Sequence, residues 1–228
     1  MSDEIVNSKK NAGYYAANIV KNGDVVGLGT GSTVFYSMER LCERIRDEGL
    51  SITGIPTSFQ TAARARSLGI PLAALDDFPV IDIAIDGADE VDSEFNLIKG
   101  RGAAQTRERC VAEAAAQFIV VVDEGKLTDK LSAVVPVEVI PFALSLLCER
   151  VRALGGVPIV REGLKKDGPV ITDNGCIEVD CDFGEIDSPF DLETELNNIP
   201  GVLSCGIFAE FKNKIVVVVG NAAGIEIL

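Results

Sequence analysis

Four short segments carry residue types that can do chemistry, and each falls where one predicted element hands over to the next. Lys99-Gly100-Arg101-Gly102 puts an ammonium at a glycine turn that runs through Ala103 into a helix, with Glu108 in that helix's first turns. Asp86-Gly87-Ala88-Asp89 sets two carboxylates three apart around a small turn at the end of an apolar strand. Gly27-Leu28-Gly29-Thr30-Gly31-Ser32-Thr33 joins a strand to a helix, so glycine backbone, hydroxyls and unpaired helix N–H groups point at one place. That combination suits an anion such as phosphate. Lys126, just past a strand ending at Asp123, could hold another negative group. The first three have a plainer reading, respectively a salt-bridged helix start, a solvated acidic loop and a turn capped by Ser and Thr, and Lys126 alone counts for little.

The chain contains no histidine. Ser-His-Asp and Cys-His nucleophile chemistry is therefore excluded, as is the commonest neutral metal ligand. General acid–base work would fall to carboxylates and lysines. The glycine turn is not a Walker A loop, and it fails the dinucleotide pattern, because Ser32 or Val34 stands where the third glycine belongs. The second strand ends in Ile55-Pro56-Thr57-Ser58, with no acid to hold a nucleotide ribose. The acidic loop misses the calcium-loop spacing. Asp82, inside its strand, reads as structural.

These segments need a scaffold that brings strand ends together. Apolar runs at 24–29, 51–56, 72–75, 80–85 and 118–123 alternate with helical patterns at 9–22, 33–47, 59–68 and 103–117. Strand–helix alternation with continuous apolar strands indicates a parallel sheet of Rossmann-like type covered on both faces, whose ligands lie at the strand C-termini. From residue 134 the rhythm becomes strand (134–139), helix (142–154), two strands (157–161, 170–172), an Asp173-Asn174-Gly175 turn into 176–182, helix (189–198) and strand (202–209). That order predicts a smaller ferredoxin-like α+β domain. The run 215–219 is apolar enough to rejoin the first sheet. The expected division is an α/β catalytic domain over 1–131 plus 207–228, with 132–206 inserted.

A net charge of −14 argues against nucleic-acid binding, which needs a basic face. No apolar run approaches the ~20 residues needed to span a bilayer. The first ten residues lack a signal-peptide core, so a cytoplasmic location is expected. The six cysteines include no C-x-x-C pair and read as small core hydrophobes.

Taken together, GLGTGST (27–33), IPTS (55–58), DGADEVD (86–92), KGRGAAQTRE (99–108), Asp123–Lys126, VEVIP (137–141) and ITDNG (171–175) resemble ribose-5-phosphate isomerase of the A type over nearly the whole chain. The resemblance implies interconversion of D-ribose 5-phosphate and D-ribulose 5-phosphate in the non-oxidative pentose phosphate pathway, with no metal or other cofactor. It also implies a homodimer or homotetramer, assembled through the smaller domain. By position, Glu108 matches the base. Thr30, Gly31, Ser32, Thr33, Asp86, Gly87, Ala88, Asp89, Lys99, Gly100, Arg101, Gly102 and Lys126 match the substrate-binding segments. Arg101 and Gly125 depart from the usual glycine and serine.

The residues fit that chemistry on their own terms. Moving a carbonyl from C1 to C2 requires a base that takes a proton from C2 and returns it to C1 through a cis-enediol, a task for Glu108. Lys99 would steady the oxyanion. Asp86 and Asp89 would bind hydroxyls, and one of them would assist ring opening. Two rivals are a non-catalytic sugar-phosphate sensor, which has no need of both Lys99 and Glu108, and a coenzyme-A transferase with a covalent carboxylate.

Overall fold

The computed structural model describes residues 3–228. In chain order come α1 (Asp3–Ile19), β1 (Val25–Leu28), α2 (Ser32–Glu48), β2 (Thr53–Pro56), α3 (Phe59–Ser67), β3 (Ile81–Asp86), β4 (Glu90–Val91) and β5 (Leu97–Ile98). Next are α4 (Gln105–Ala114), β6 (Ala115–Asp123), β7 (Val135–Val139), α5 (Leu144–Ala153), β8 (Val157–Val160) and β9 (Ile177–Asp182). The chain finishes with α6 (Pro189–Asn197), β10 (Val202–Cys205), β11 (Ile207–Phe208), β12 (Ile215–Asn221) and β13 (Gly224–Ile227). Two compact units result. The first comprises the chain up to Ala88, Cys110–Leu127 and Asn213–Leu228; the second comprises Asp89–Arg109 and Thr128–Lys212.

The first unit is built on a six-stranded sheet in the order β13-β12-β6-β3-β1-β2. All its pairings are parallel except that of the closing strand β13. Val26, Leu28, Ile83, Ile85, Ile119, Val121 and Val218 pack with Ala12, Ala16, Val34, Met38 and Leu41 of α1 and α2. Each enclosed aliphatic side chain contributes roughly 1.5–3 kcal/mol. Small residues let α1 lie close: a side chain at Gly220 of β12 would come within 1.9 Å of the Ser8 carbonyl oxygen. Arg44 of α2 donates to the carbonyls of Ala17 (2.6 Å) and Val20 (2.8 Å), placing a cation at the C-terminal end of α1. As expected from its apolar run, β12 pairs beside β6 in this sheet.

The second unit contains a four-stranded antiparallel sheet, β10-β7-β9-β8. With α5 and α6 its element order is the ferredoxin-like one. Val135, Val137, Val139, Leu147, Val151, Leu196 and Ile199 form its core. A second small sheet, β11-β5-β4, belongs to the same unit. Because β4 and β5 pair with β11 there, 89–109 and 207–212 group with the second unit, as do 128–131, whereas the boundaries drawn from sequence put all three with the parallel sheet.

Several elements differ from expectation. The strand expected at 72–75 is reduced to one bridge, Gly54 to Leu72, and Leu75–Asp77 forms a 3-10 turn. Asp77 fixes that turn by accepting from the Ala74 N–H (3.1 Å). Residues 170–172 contribute only an isolated bridge, Ile171 to Ile177. The six cysteines are free thiols; Cys176, Cys181 and Cys205 are buried, and Cys110 is exposed rather than part of a core. No helix among the described residues is long and apolar enough to cross a membrane.

Candidate active site

In the first unit, register sets Leu28 beside both Pro56 and Ile85, so the turns after β1, β2 and β3 leave one edge of the sheet. The Asp86 carboxylate lies under the glycine turn: Oδ1 accepts from the Thr30 N–H (3.2 Å) and the Gly87 N–H (2.7 Å). A side chain at Gly29 would come within 2.1 Å of that carboxylate, so the position requires glycine. Thr30 Oγ1 donates to Ser58 Oγ (2.8 Å) and lies 3.0 and 3.1 Å from the hydroxyls of Thr57 and Thr61. Thr61 in turn donates to the Gly29 carbonyl (2.9 Å). Three hydroxyls, those of Thr57, Ser58 and Thr61, thus hold the turn through Thr30 and Gly29.

The start of α2 has no side-chain cap. Gly31, Ser32 and Thr33 therefore offer backbone N–H groups at the positive end of the helix dipole. Lys9 Nζ donates to Ser32 Oγ (3.1 Å), bringing a cation to that helix end. Lys126 sits half-buried in the 3-10 turn after β6, and Ala88 closes the first unit's share of the acidic loop.

In the second unit, Lys99 and Glu108 meet. Lys99 Nζ lies 3.1 Å from Glu108 Oε2, and the side chains are only 3% and 5% exposed. The lysine ammonium also lies 5.5 Å from the centre of the Phe208 ring. Its backbone N–H donates to the Gly206 carbonyl (2.8 Å). Gly100 has φ 101, and a side chain there would press on Gln105 and Pro136 at 2.9–3.0 Å. The Ala103 N–H closes a turn onto the Gly100 carbonyl (2.9 Å), with Ala103 itself at φ 54. Arg101 and Gly102 are exposed. Asp89 Oδ2 accepts from the Arg101 N–H (3.0 Å), and its Oδ1 lies 3.6 Å from Arg101 Nε.

Arg109, directly after Glu108, anchors α4. It pairs with buried Glu193 (2.6 Å), lies against the Phe208 ring (4.3 Å) and donates to the Ile207 carbonyl. Two further glutamates hold the helix start, since Glu138 accepts from Thr106 and Glu178 from Gln105. Lys9, Thr61, Gln105, Glu138 and Glu178 went unrecognised in the sequence. No local pattern marks Glu138 or Glu178 as enclosed, because a glutamate between apolar strand residues reads as facing solvent. Asp82 behaves as a structural residue, accepting from the Val25 N–H (2.8 Å). Among the described residues, no three His, Cys, Asp or Glu side chains gather so as to hold a metal ion.

An ammonium and a carboxylate in contact and withheld from water are groups that acid–base chemistry can use, and an α/β scaffold that carries them suits an enzyme of that class. Comparison with known proteins narrows this class. Residues 53–224 match the family described as ribose 5-phosphate isomerase A (phosphoriboisomerase A), and the chain belongs to that family. It is 56% identical over 227 residues to ribose-5-phosphate isomerase A of Methanoregula boonei, covering 100% of this chain and 95% of that one. The structure of ribose 5-phosphate isomerase A from Methanocaldococcus jannaschii superposes with TM-score 0.93 at 43% identity, covering 98% of both chains. A D-ribose-5-phosphate isomerase solved in complex with phospho-erythronic acid gives TM-score 0.95 at 45% identity, covering 100% of this chain and 99% of that one.

Proposed function

We propose that this chain interconverts D-ribose 5-phosphate and D-ribulose 5-phosphate through a cis-enediol, with Glu108 as the base. The observation that carries the reading is the Lys99–Glu108 contact of 3.1 Å, almost closed to solvent. From the open-chain aldose, the C2 proton passes to the Glu108 carboxylate, and the electron pair moves through C1 onto O1. The Lys99 ammonium offsets the charge that develops there. The O2–H proton passes to O1 as Glu108 returns its proton to C1 and the C2 carbonyl forms, so that no proton is gained or lost overall. A carboxylate within reach of both carbons serves each half, so one residue suffices. The relative solved with phospho-erythronic acid, whose planar carboxylate has two oxygens like those of an enediolate, supports this chemistry.

In the same reading, the phosphate is taken by Thr30, Gly31, Ser32 and Thr33 at the uncapped start of α2, with Lys9 and Lys126 supplying charge. Asp86, Gly87, Ala88 and Asp89 take sugar hydroxyls, and one of the two acids assists ring opening. Gly100, Arg101 and Gly102 shape the loop that presents Lys99, while Arg101 orients Asp89 more than it meets substrate. A sugar-phosphate sensor would have no use for an enclosed lysine–glutamate contact. We assign a homodimer or homotetramer, formed through the second unit. Val157 and Ile159 of β8 are 59% and 61% exposed and Phe142 is 98% exposed, which supports that assignment. A cytoplasmic site of action completes the reading.

The decisive experiment is conversion of ribose 5-phosphate to the ketose with EDTA present. Turnover that persists in chelator is the expected result. A pure, folded protein that yields no ketose would end the proposal.

A further inference from the structure

Two carboxylates stand opposite each other in the second unit, where β7 and β9 pair Glu138 with Glu178, and both are fully enclosed. Their surroundings differ. Glu138 accepts from the hydroxyls of Thr106 and Thr172 and from the Asn174 amide, at 3.1 and 3.2 Å to its two oxygens. Donors on both oxygens suit an anion. Glu178 accepts from Gln105 Nε2 on Oε1 at 2.6 Å. Its Oε2 and Gln105 Oε1 are both buried without a hydrogen-bond partner. Two orphaned acceptors, one on each member of a bonded pair, are costly in a dry interior. One proton would answer both, if carried on Glu178 Oε2 and given to Gln105 Oε1 while Gln105 Nε2 donates to Glu178 Oε1.

The charges facing Glu178 agree with that state. Arg161, the nearby cation, gives its donors to both oxygens of Asp180 and to the carbonyls of Gly100 and Arg101, each at 3.1 Å. Asp180 on β9 and Glu138 on β7 both disfavour a second anion. Burial first, then these acids, push the Glu178 carboxyl up to about 8, against the pull of Arg161 and Gln105.

The paired residues are the first two of α4. Gln105 and Thr106 open the helix, and the Glu108 N–H donates to the Ala104 carbonyl one turn back (3.0 Å). We propose that Glu178 is a positioning residue for the proton transfer: as a neutral acid closed onto Gln105, it fixes the first turn of α4 and so keeps Glu108 at Lys99. The proposal rests on the reading of Glu108 as base. On ionisation Glu178 would lose its donor, and the helix start would loosen.

Two variants test this. E178Q offers an amide–amide pair of the same shape that cannot ionise; Gln105→Leu removes the pair. In the wild type, kcat should fall as pH rises through about 8, with KM little moved. In E178Q, kcat should stay within about threefold at neutral pH, and the alkaline fall should move up by about one pH unit or more. Gln105→Leu should lower kcat about tenfold while KM changes less than about twofold. Infrared spectra should show a protonated-carboxyl carbonyl band in the neutral wild type that is missing from E178Q and fades in alkali. That band does not depend on isomerase activity, so an inactive wild type that shows it would strike the functional reading alone. An alkaline limb in E178Q identical to that of the wild type, or no such band, would overturn the proposal, including in the event that Gln105→Leu fails to fold.

Discussion

The two sheets treat their enclosed positions differently. In the first unit, β3, β6 and β12 bury Ile83, Ile85, Ile119, Val121 and Val218. In the second, Val135, Val137 and Val139 fill one face of β7, while Glu138, on the alternate face, is just as fully enclosed and turned onto α4. One sheet is stabilised by apolar area. The other exchanges some of that stabilisation for donors and acceptors that fix a helix start. Satisfied polar networks of this kind specify position more than they add stability.

The largest effect expected of any single change lies at the base itself. Glu108→Gln should keep sugar-phosphate binding, measured by calorimetry, while kcat falls about 10³-fold. Normal turnover in that variant would remove Glu108 from its role.

Next comes the contrast between the sheets. Ile119→Ala in the first unit should cost about 3 kcal/mol in urea unfolding through the cavity it leaves, with kcat of the folded fraction largely preserved. Glu138→Ala should cost less, about 2 kcal/mol, yet lower kcat, because Thr106, Thr172 and Asn174 lose their acceptor. If both variants moved stability and kcat in the same proportion, the two sheets would not differ in the way described.

A further effect is a slope in stability against pH, gradual at any one pH. With its carboxyl raised from 4.5 to about 8, Glu178 stays protonated in the folded chain over a range where the unfolded chain has released the proton. The folded state then binds more protons, so stability is greatest below about 4.5 and declines as pH rises towards about 8. One such proton gives a slope of about 1.4 kcal/mol per pH unit. Comparison with E178Q isolates it: the stability difference between the two should change across that range and level off above it. Smallest of all, Thr30→Val should raise KM a few-fold and cost about 1 kcal/mol, since Ser58 Oγ loses one of its two donors and keeps the Thr61 N–H.

Much of this was legible in the sequence where chemistry is local. Glycines beside hydroxyls marked the turn proposed for the phosphate, and Lys99 and Glu108 stand on either side of one glycine turn that leads into a helix. Continuous apolar runs gave away the parallel strands. What stayed hidden is non-local or short. Gln105 and Glu178 are 73 residues apart, and glutamate in a strand reads as the solvent side of an alternating pattern. The two-residue strands β4 and β5 are too brief for periodicity. The apolar stretch at 72–75 looked like a strand, but the Asp77 side chain captures the Ala74 N–H and turns the chain instead.

Ala103, immediately before α4, holds a left-handed conformation at φ 54 that residues with a side chain seldom adopt. Glycine would relieve local strain of about 1 kcal/mol there, but it would also enlarge the freedom of the unfolded chain by a similar amount. Ala103→Gly should therefore leave the melting temperature nearly unmoved while the amide hydrogens of residues 100–104 exchange faster with solvent. The methyl group of Ala103 would then act on how long the loop dwells in one shape, a property that no equilibrium melt records.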